Sequence, residues 1–229
     1  MSHTRTKAPQ SVALYGGSFD PIHSGHLSVA RSALKRFSLD RIYFIPSGTP
    51  PHKQRRRLAP FPHRVAMVAL ACGDHDEFVP SLAEAGEDLG GHQISYSVDT
   101  VRHFKHQLHA HERLYFIMGA DQFLEIATWK DYETLLGSCD FIVANRPGFD
   151  IGMLKLVIPP DLLGRHKASA APEDPEAIAL RKTTVHPLTT VSSHVSATEI
   201  RRRIRHGEPI SGLVPPRVED YILKQALYR

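Results

Sequence analysis

The stretch that decides the fold of this chain is Val12-Ala13-Leu14-Tyr15-Gly16-Gly17-Ser18-Phe19-Asp20-Pro21-Ile22-His23-Ser24-Gly25-His26-Leu27. Its apolar start predicts a buried strand, its glycines predict a tight turn, and the apolar spacing after it predicts a helix over 25–37. A turn between a strand and a helix is a place where backbone N–H groups and the helix dipole bind phosphate oxygens. His23 and His26 stand at the helix entry, where each imidazole can donate a hydrogen bond to charge on phosphorus. The stretch therefore favours nucleotide chemistry.

Two other interpretations of this stretch stay open. It lacks both the Gly-x-Gly-x-x-Gly dinucleotide pattern and the Lys-Ser/Thr ending of a P-loop. The glycines can instead serve close packing while the histidines cap the helix. A metal site is the second alternative, although neither Cys72 nor Cys139 lies in a paired motif that would complete a zinc site.

The length of 229 residues suits one α/β domain. We expect residues 1–10 to form a flexible tail and residues 11–229 to form a single domain. Hydrophobic residues make up 41% of the chain and charged residues 23%, as in ordinary soluble proteins. Two distant cysteines, the lack of a secretion signal and the lack of a membrane-length apolar run predict a cytoplasmic protein without a membrane partner.

The basic residues cluster at Arg55-Arg56-Arg57 and Arg201-Arg202-Arg203, while the net charge is only +4. Such clusters serve nucleic acids, polyphosphate substrates or a solvated surface. Because no nucleic-acid motif accompanies them, we expect no nucleic-acid partner.

Strand and helix patterns alternate along the chain, which predicts an α/β fold. We expect a Rossmann-like, doubly wound parallel sheet with helices on both faces and a small C-terminal helical part at 198–229. The predicted strands are 12–15, 41–45, 77–81, 113–118, 140–144 and 183–188. The predicted helices are 25–37, 62–73, 97–109, 120–126, 131–136, 198–206 and 216–227.

Finer features of these helices are also predicted. Helix 62–73 is expected to bury Val65, Val68, Ala69 and Cys72. Gly207 is expected to end the helix before it, and Pro215-Pro216 to start the last helix.

Two segments interrupt the alternation. Residues 46–61 combine prolines with a basic run and predict a lid-like loop at the ligand end of the sheet. Residues 147–182 show weak periodicity and predict a variable, irregular insertion, either partly disordered or a contact in a homo-oligomer.

The stretch at 16–27 resembles the signature of the nucleotidyltransferases with a His-x-Gly-His motif, and later segments narrow the resemblance to bacterial nicotinate-nucleotide adenylyltransferases. It covers the chain from about residue 11 onward, apart from 149–183. The matching segments stand in the family's order and read Pro50-Pro51-His52-Lys53, Ser95-Tyr96-Ser97, Phe116-Ile117-Met118-Gly119-Ala120-Asp121, Thr128-Trp129, Asn145-Arg146-Pro147-Gly148 and Val195-Ser196-Ala197-Thr198-Glu199-Ile200-Arg201.

The resemblance implies adenylyl transfer from ATP to nicotinate mononucleotide, giving deamido-NAD and pyrophosphate in NAD biosynthesis. Mg2+ would arrive on the ATP phosphates, with no metal site on the protein. His23, His26 and Arg201 would be catalytic. The implied ATP-binding residues are Gly16, Gly17, Ser18, Phe19, Gly25, His26, Gly119, Asp121, Arg146, Ser196, Ala197, Thr198 and Arg201.

The late signature has a physical basis of its own. Ser196 and its neighbours precede a predicted helix, so free N–H groups there can bind β- and γ-phosphate oxygens. Arg201 adds a permanent positive fork. The alternative is an ordinary N-cap with a surface arginine. The near-duplicate Val191-Ser192-Ser193-His194 stands at the wrong distance from Ile200-Arg201.

The acceptor would use a second group of residues. The family match places Trp129 against the nicotinate ring, and we expect Ser97 to cap helix 97–109. Lys130 stands where the family often has tyrosine, and its backbone N–H is expected to help bind the carboxylate, which favours the acid over the amide. The implied acceptor-binding residues are Ser18, Phe19, His52, Lys53, Ser97, Trp129 and Lys130.

Other functions stay open. These are a related adenylyltransferase that accepts nicotinamide mononucleotide or phosphopantetheine, a non-catalytic regulator that binds ATP or NAD, a fragment of an aminoacyl-tRNA synthetase, and a nucleic-acid-binding module. A cluster of four histidines suggests a metal site, and its members are His103, His106, His109 and His111. The helical spacing, however, puts most of the four in solvent.

Overall fold

Near-continuous apolar runs form the centre of one sheet. The computed structural model describes residues 11–48, 58–85, 96–108, 112–145, 148–164, 174–189 and 195–229. Within these ranges seven strands pair in the order β3-β2-β1-β4-β5-β7-β6. Their bounds are β1 Ser11–Gly17, β2 Arg41–Pro46, β3 Phe78–Pro80, β4 Arg113–Gly119, β5 Asp140–Asn145, β6 Ile178–Ala179 and β7 Thr184–Thr189.

Eight α-helices connect and cover the strands within the described ranges. They are α1 Ser24–Phe37, α2 Phe61–Cys72, α3 Ser97–Gln107, α4 Ala120–Leu124, α5 Tyr132–Leu136, α6 Gly152–Leu156, α7 Ala197–Arg205 and α8 Pro216–Lys224. Among them, none is long and apolar enough to cross a membrane.

The sheet is covered on both faces. Side chains alternate along β1, so Ala13 and Tyr15 pack with α1, α2, α7 and α8, while Val12 and Leu14 pack with α3 to α6. The predicted doubly wound α/β fold is therefore confirmed. The order of strands reverses at β1 and β4, and the carboxyl ends of strands at such a point border the ligand crevice of an open α/β sheet.

The part of 147–182 that the structure describes contains two short elements that the pattern did not predict. This part contains α6 and β6, and its residues Leu154, Ile158, Ile178 and Leu180 are buried. β6 pairs antiparallel with β7, so the sheet is not wholly parallel. Elements of five and two residues are too short to show a hydrophobic period, which is why the pattern did not reveal them.

The remaining predicted elements differ little from the structure. Their ends shift by at most three residues, the largest shift being the end of α8 at Lys224 instead of 227. Gly207 follows α7 with φ +67°, and Pro216 is the first residue of α8, as expected. The predicted face of α2 is wrong at Val65 and Ala69, which are not buried. The face instead includes Arg64, Met67 and Ala71.

Candidate active site

The turn after β1 is shaped by a buried aromatic ring. Phe19 has φ +45° and is fully buried, and its ring packs 5.7 Å from that of Tyr15 and 5.8 Å from that of Phe44. A Cβ on Gly17 would lie 3.2 Å from this ring, so the glycine permits the close approach. The ring lies in the core, while Gly16, Gly17 and Ser18 stay partly exposed.

The two signature histidines form a stacked pair at the start of α1. Their ring centroids are 3.7 Å apart at an interplanar angle of 26°. The His23 N–H, at the N-cap, donates to His26 Nδ1 at 3.2 Å. An Nδ1 that accepts this hydrogen bond leaves the imidazole proton on Nε2, so His26 is a neutral donor through Nε2.

The pair is held in the neutral form. Burial lowers the pKa of His23 to about 4. Burial, and then the neighbouring His23, lower the pKa of His26 well below its usual 6.5. The buried Nδ1 of His23 has no hydrogen-bond partner among the residues the structure describes. At neutral pH the pair therefore offers uncharged N–H donors and no strong base.

The late signature lies beside the early one. Ser196 caps α7, and its Oγ accepts a hydrogen bond from the Glu199 N–H at 3.2 Å. Arg201 Nη1 donates to the Asp20 carbonyl and lies 3.4 Å from Asp20 Oδ2, while Nη2 donates to Thr198 Oγ1 at 3.2 Å. Two segments 181 residues apart in sequence thus meet at the carboxyl end of β1.

Asp20 was not singled out from the sequence, yet it links several parts of the site. Its side chain is 2% exposed. Oδ1 accepts from the Tyr228 hydroxyl at 2.8 Å and from the Ala59 N–H at 3.0 Å. The position of this carboxylate inside the quoted stretch was a signal visible in the sequence. Its partners lie 39 and 208 residues away, and no local pattern indicates them.

Arg64 is a second buried residue that sequence reasoning missed. It is 2% exposed and donates to four backbone carbonyls, those of Ser18 at 2.9 Å, Ser47 at 2.7 Å, Gly48 at 3.1 Å and Ala59 at 3.0 Å. Burial lowers its pKa, and the charge of Asp20 is the largest opposing influence. An arginine within the apolar pattern of a helix was the available signal. The guanidinium ties the turn after β1 to the segments that follow β2 and precede α2.

The end of β4 forms the other wall of the crevice. A Cβ on Gly119 would collide with Asp121 Oδ1, so replacing this glycine would displace the exposed Asp121 carboxylate. The Gly119 N–H donates to Gln122 Oε1 at 3.3 Å. Asp121 is exposed, and its charge is, after burial, a cause of the raised pKa of Tyr15. Asp121 therefore lies near Tyr15, the residue that precedes the glycines at the end of β1.

Trp129 lies on the same side of the sheet as the start of α3. Its half-buried ring meets Phe116 edge-on at 6.4 Å, and the tip of the Phe116 ring lies 3.2 Å from where a Cβ of Gly16 would be. Lys130 Nζ lies 4.2 Å from the centre of the Tyr96 ring and 3.8 Å from Asp99 Oδ2. Trp129 and Lys130 are thus placed between the turn after β1 and α3.

The expected cap of α3 is wrong. The N-cap is Tyr96, whose carbonyl accepts from the N–H groups of Asp99 at 2.9 Å and Thr100 at 3.1 Å. Ser97 is the first helical residue, so its hydroxyl does not cap the helix. The helix thus starts one residue earlier than a serine cap requires, and its N-cap makes no side-chain cap hydrogen bond.

Comparison with known proteins places the chain. The Cytidylyltransferase-like family matches residues 14–203. A relative from Moorella thermoacetica, named a probable nicotinate-nucleotide adenylyltransferase, is 38% identical over 222 residues, which cover 96% of this chain and 93% of the relative. A relative of the same name from Pelobacter propionicus is 39% identical over 95% of this chain and 97% of its own. The chain belongs to the nicotinate-nucleotide adenylyltransferase family.

Solved structures bear out the fold of this adenylyltransferase-family chain. A Plasmodium falciparum nicotinic acid mononucleotide adenylyltransferase complexed with APC is 22% identical, with a TM-score of 0.66 over 96% of this chain and 97% of that one. The same protein complexed with NaAD gives the same values. This likeness supports the sheet topology described above.

Several segments that carried the family resemblance lie outside the described residues. They include the predicted site residues His52, Lys53 and Arg146. The near-duplicate at 191–194, which did not carry the resemblance, lies outside the described residues as well. His109 and His111 lie outside them too, while His106 is exposed and His103 lies 3.0 Å from the Gln107 amide. The described residues contain no group of three or more His, Cys, Asp or Glu that could hold a metal ion.

Proposed function

We propose that this chain transfers the adenylyl group of ATP to nicotinate mononucleotide, releasing pyrophosphate and deamido-NAD for NAD biosynthesis. The observation that carries the proposal is the contact between Arg201 and Asp20. It brings the His23–His26 pair and the start of α7 to one end of the sheet. The names of the chain's relatives agree with this activity.

The reaction requires no strong base. An oxygen of the acceptor phosphate, already ionised at neutral pH, forms a bond to the α-phosphorus as the bond to the pyrophosphate oxygen breaks. The barrier lies in bringing two polyanions into line and stabilising the charge on the transferring phosphoryl group. A neutral imidazole that donates through Nε2 meets this need, which is the role we assign to His26, with His23 beside it.

The remaining ATP contacts follow from position. The start of α7 at Ser196, Ala197 and Thr198 offers N–H groups for the β- and γ-phosphates, and Arg201 supplies charge. The backbone of Gly16, Gly17, Ser18, Phe19 and Gly25 would contact the nucleotides. At the end of β4, Gly119 and Asp121 would meet a ribose, and Arg146 keeps its proposed ATP contact.

The acceptor is proposed to lie against Trp129. The indole is half-buried and packs at 82° to the Phe116 ring, and we assign its exposed part to the nicotinate ring. Lys130, Ser97, Ser18 and Phe19 would complete the acceptor site, with His52 and Lys53. A cation and a helix start near the ring favour the carboxylate of the acid over an uncharged amide.

Mg2+ is proposed to arrive bound to ATP. Mg2+ keeps several of its waters and is commonly held by substrate phosphates with few protein ligands. The ion would screen the phosphate charges while the protein positions them. Cytoplasmic localisation, the lack of a nucleic-acid partner and a possible homo-oligomer stay predictions.

The test is pyrophosphate release from ATP and Mg2+ with nicotinate mononucleotide, nicotinamide mononucleotide or phosphopantetheine as acceptor. We expect the acid to react about 10- to 100-fold faster than the amide, since a hydrogen bond to a charged group contributes about 1.5–3 kcal/mol. Preference for either other acceptor would refute the proposed substrate. ATP binding without pyrophosphate release from any acceptor would favour the regulator.

A further inference from the structure

A residue at the far C-terminus contacts the turn after β1. The backbone reverses after α8, where Ala226 has φ +49° and Tyr228 has φ +67°, and the Leu227 N–H returns to the Ile222 carbonyl at 3.1 Å. This reversal directs the Tyr228 side chain back onto the core face that carries α1 and α2. Its hydroxyl then donates to Asp20 Oδ1 at 2.8 Å.

The Asp20 carboxylate depends on its partners because it is almost fully buried. A buried charge is costly unless hydrogen bonds and opposite charge surround it. Oδ1 has two donors, the Tyr228 hydroxyl and the Ala59 N–H, and Oδ2 faces Arg201 Nη1 at 3.4 Å. Burial, followed by the charge of Asp20, raises the pKa of Tyr228, so the phenol remains a donor at neutral pH.

The orientation of Arg201 in turn depends on Asp20. Its side chain is 21% exposed, so it remains accessible to a ligand. Nη1 points at the carbonyl and carboxylate of Asp20, and Nη2 points at Thr198 Oγ1. A long side chain that is already fixed loses less rotamer freedom when a ligand binds, and therefore binds it more tightly.

We propose that Tyr228 is a positioning residue for Arg201: its hydroxyl fixes the Asp20 carboxylate, and Asp20 fixes the guanidinium where the triphosphate binds. The inference rests on the proposed function for the identity of the ligand as ATP. It adds a role for Tyr228, which is not among the residues predicted to bind a substrate.

The experiment compares two phenylalanine substitutions near the C-terminus. Tyr228→Phe removes the hydroxyl that meets Asp20. Tyr221→Phe is the matched control, because its hydroxyl lies in α8 and pairs with His63 Nδ1 at 2.9 Å. Calorimetry of the full-length protein then measures the affinities for ATP and for nicotinate mononucleotide.

We expect Tyr228→Phe to weaken ATP binding about threefold to tenfold, because the lost hydrogen bond acts on ATP only through Asp20 and Arg201 and so passes on part of its free energy. Affinity for nicotinate mononucleotide and both affinities of Tyr221→Phe should stay at wild-type values. A purely structural role would lower the melting temperature without separating the two substrates.

A double-mutant cycle identifies the route of the effect. In an Arg201→Ala background, Tyr228→Phe should weaken ATP binding no further. The inference is overturned by wild-type ATP affinity in Tyr228→Phe, by equal loss for both substrates, or by the full loss persisting without Arg201.

Pyrophosphate release by the wild-type protein separates the inference from the proposed function. A wild-type protein that turns over while Tyr228→Phe binds ATP normally overturns the inference alone. A wild-type protein that binds ATP without turnover, and loses affinity in Tyr228→Phe, supports the inference and refutes the proposed enzyme.

Discussion

Replacing His23 by asparagine should remove part of the acid sensitivity of this fold. His23 is 7% exposed, and its burial lowers the pKa of the imidazole from 6.5 to about 4. Between about pH 4 and pH 6.5, the unfolded state therefore binds a proton at His23 and the folded state does not. Above about pH 6.5 His23 is neutral in both states, so it does not affect the free energy of unfolding. That free energy falls as the pH decreases from about 6.5 toward 4.

The magnitude follows from the two pKa values. The full lowering corresponds to about 3 kcal/mol, since a pKa difference of one corresponds to about 1.4 kcal/mol. About 2 kcal/mol of this should be lost between about pH 7 and pH 5, where the unfolded histidine is already protonated and the buried one is not. Asparagine cannot titrate, and it is a favourable N-cap for α1, so the helix start is kept.

The assay is urea unfolding of both proteins at these two pH values, followed by circular dichroism. We expect the wild type to lose about 2 kcal/mol more stability than His23→Asn between them. His206→Asn, at an exposed histidine, controls for the loss of an imidazole as such. An equal loss of stability in wild type and His23→Asn would refute the reasoning.

Three further substitutions test the site. His26→Ala should lower kcat of pyrophosphate release by about 100- to 1000-fold, because it removes a donor to the transferring phosphoryl group, and a kcat near that of the wild type would contradict its role. Trp129→Ala should raise KM for nicotinate mononucleotide by about tenfold and leave KM for ATP unchanged. Trp129→Phe keeps an aromatic ring, so it should raise KM for nicotinate mononucleotide by less. Equal changes in both KM values would place the acceptor ring elsewhere. Arg64→Lys should lower the free energy of unfolding, measured in urea, by about 2–4 kcal/mol. The reason is that a lysine ammonium cannot reproduce the four hydrogen bonds of the planar guanidinium to backbone carbonyls. An unchanged urea midpoint of unfolding would show that those hydrogen bonds contribute little.

The predictable part of the fold came from local patterns. Long apolar runs such as β1 and β4 and regular stripes such as that of α3 appear in the sequence with their own period, so their type and approximate bounds were correct. The errors fall where the local signal is weak. α6 and β6 are too short to show a period, and the buried face of α2 includes Arg64, which a hydrophobic pattern excludes.

The candidate site divides in the same way. The turn after β1 and the start of α7 were recognisable because each is a continuous segment whose residue types and spacing serve phosphate binding. The supports of these segments were not recognisable. These supports are Asp20, Arg64 and Tyr228, whose hydrogen-bond partners are distant in sequence. No spacing of residues in the chain predicts those contacts.

The sequence by itself determined the alternation of strands and helices, the histidine pair at the start of α1, and membership in a family of adenylyltransferases. Only the tertiary structure decided that Arg201 reaches Asp20 and that a tyrosine beside the C-terminus holds the same carboxylate. The physical reason is range. Periodicity and turn chemistry act over a few neighbouring residues, whereas the pairing of a buried charge depends on which distant segments the packed core brings within hydrogen-bonding distance.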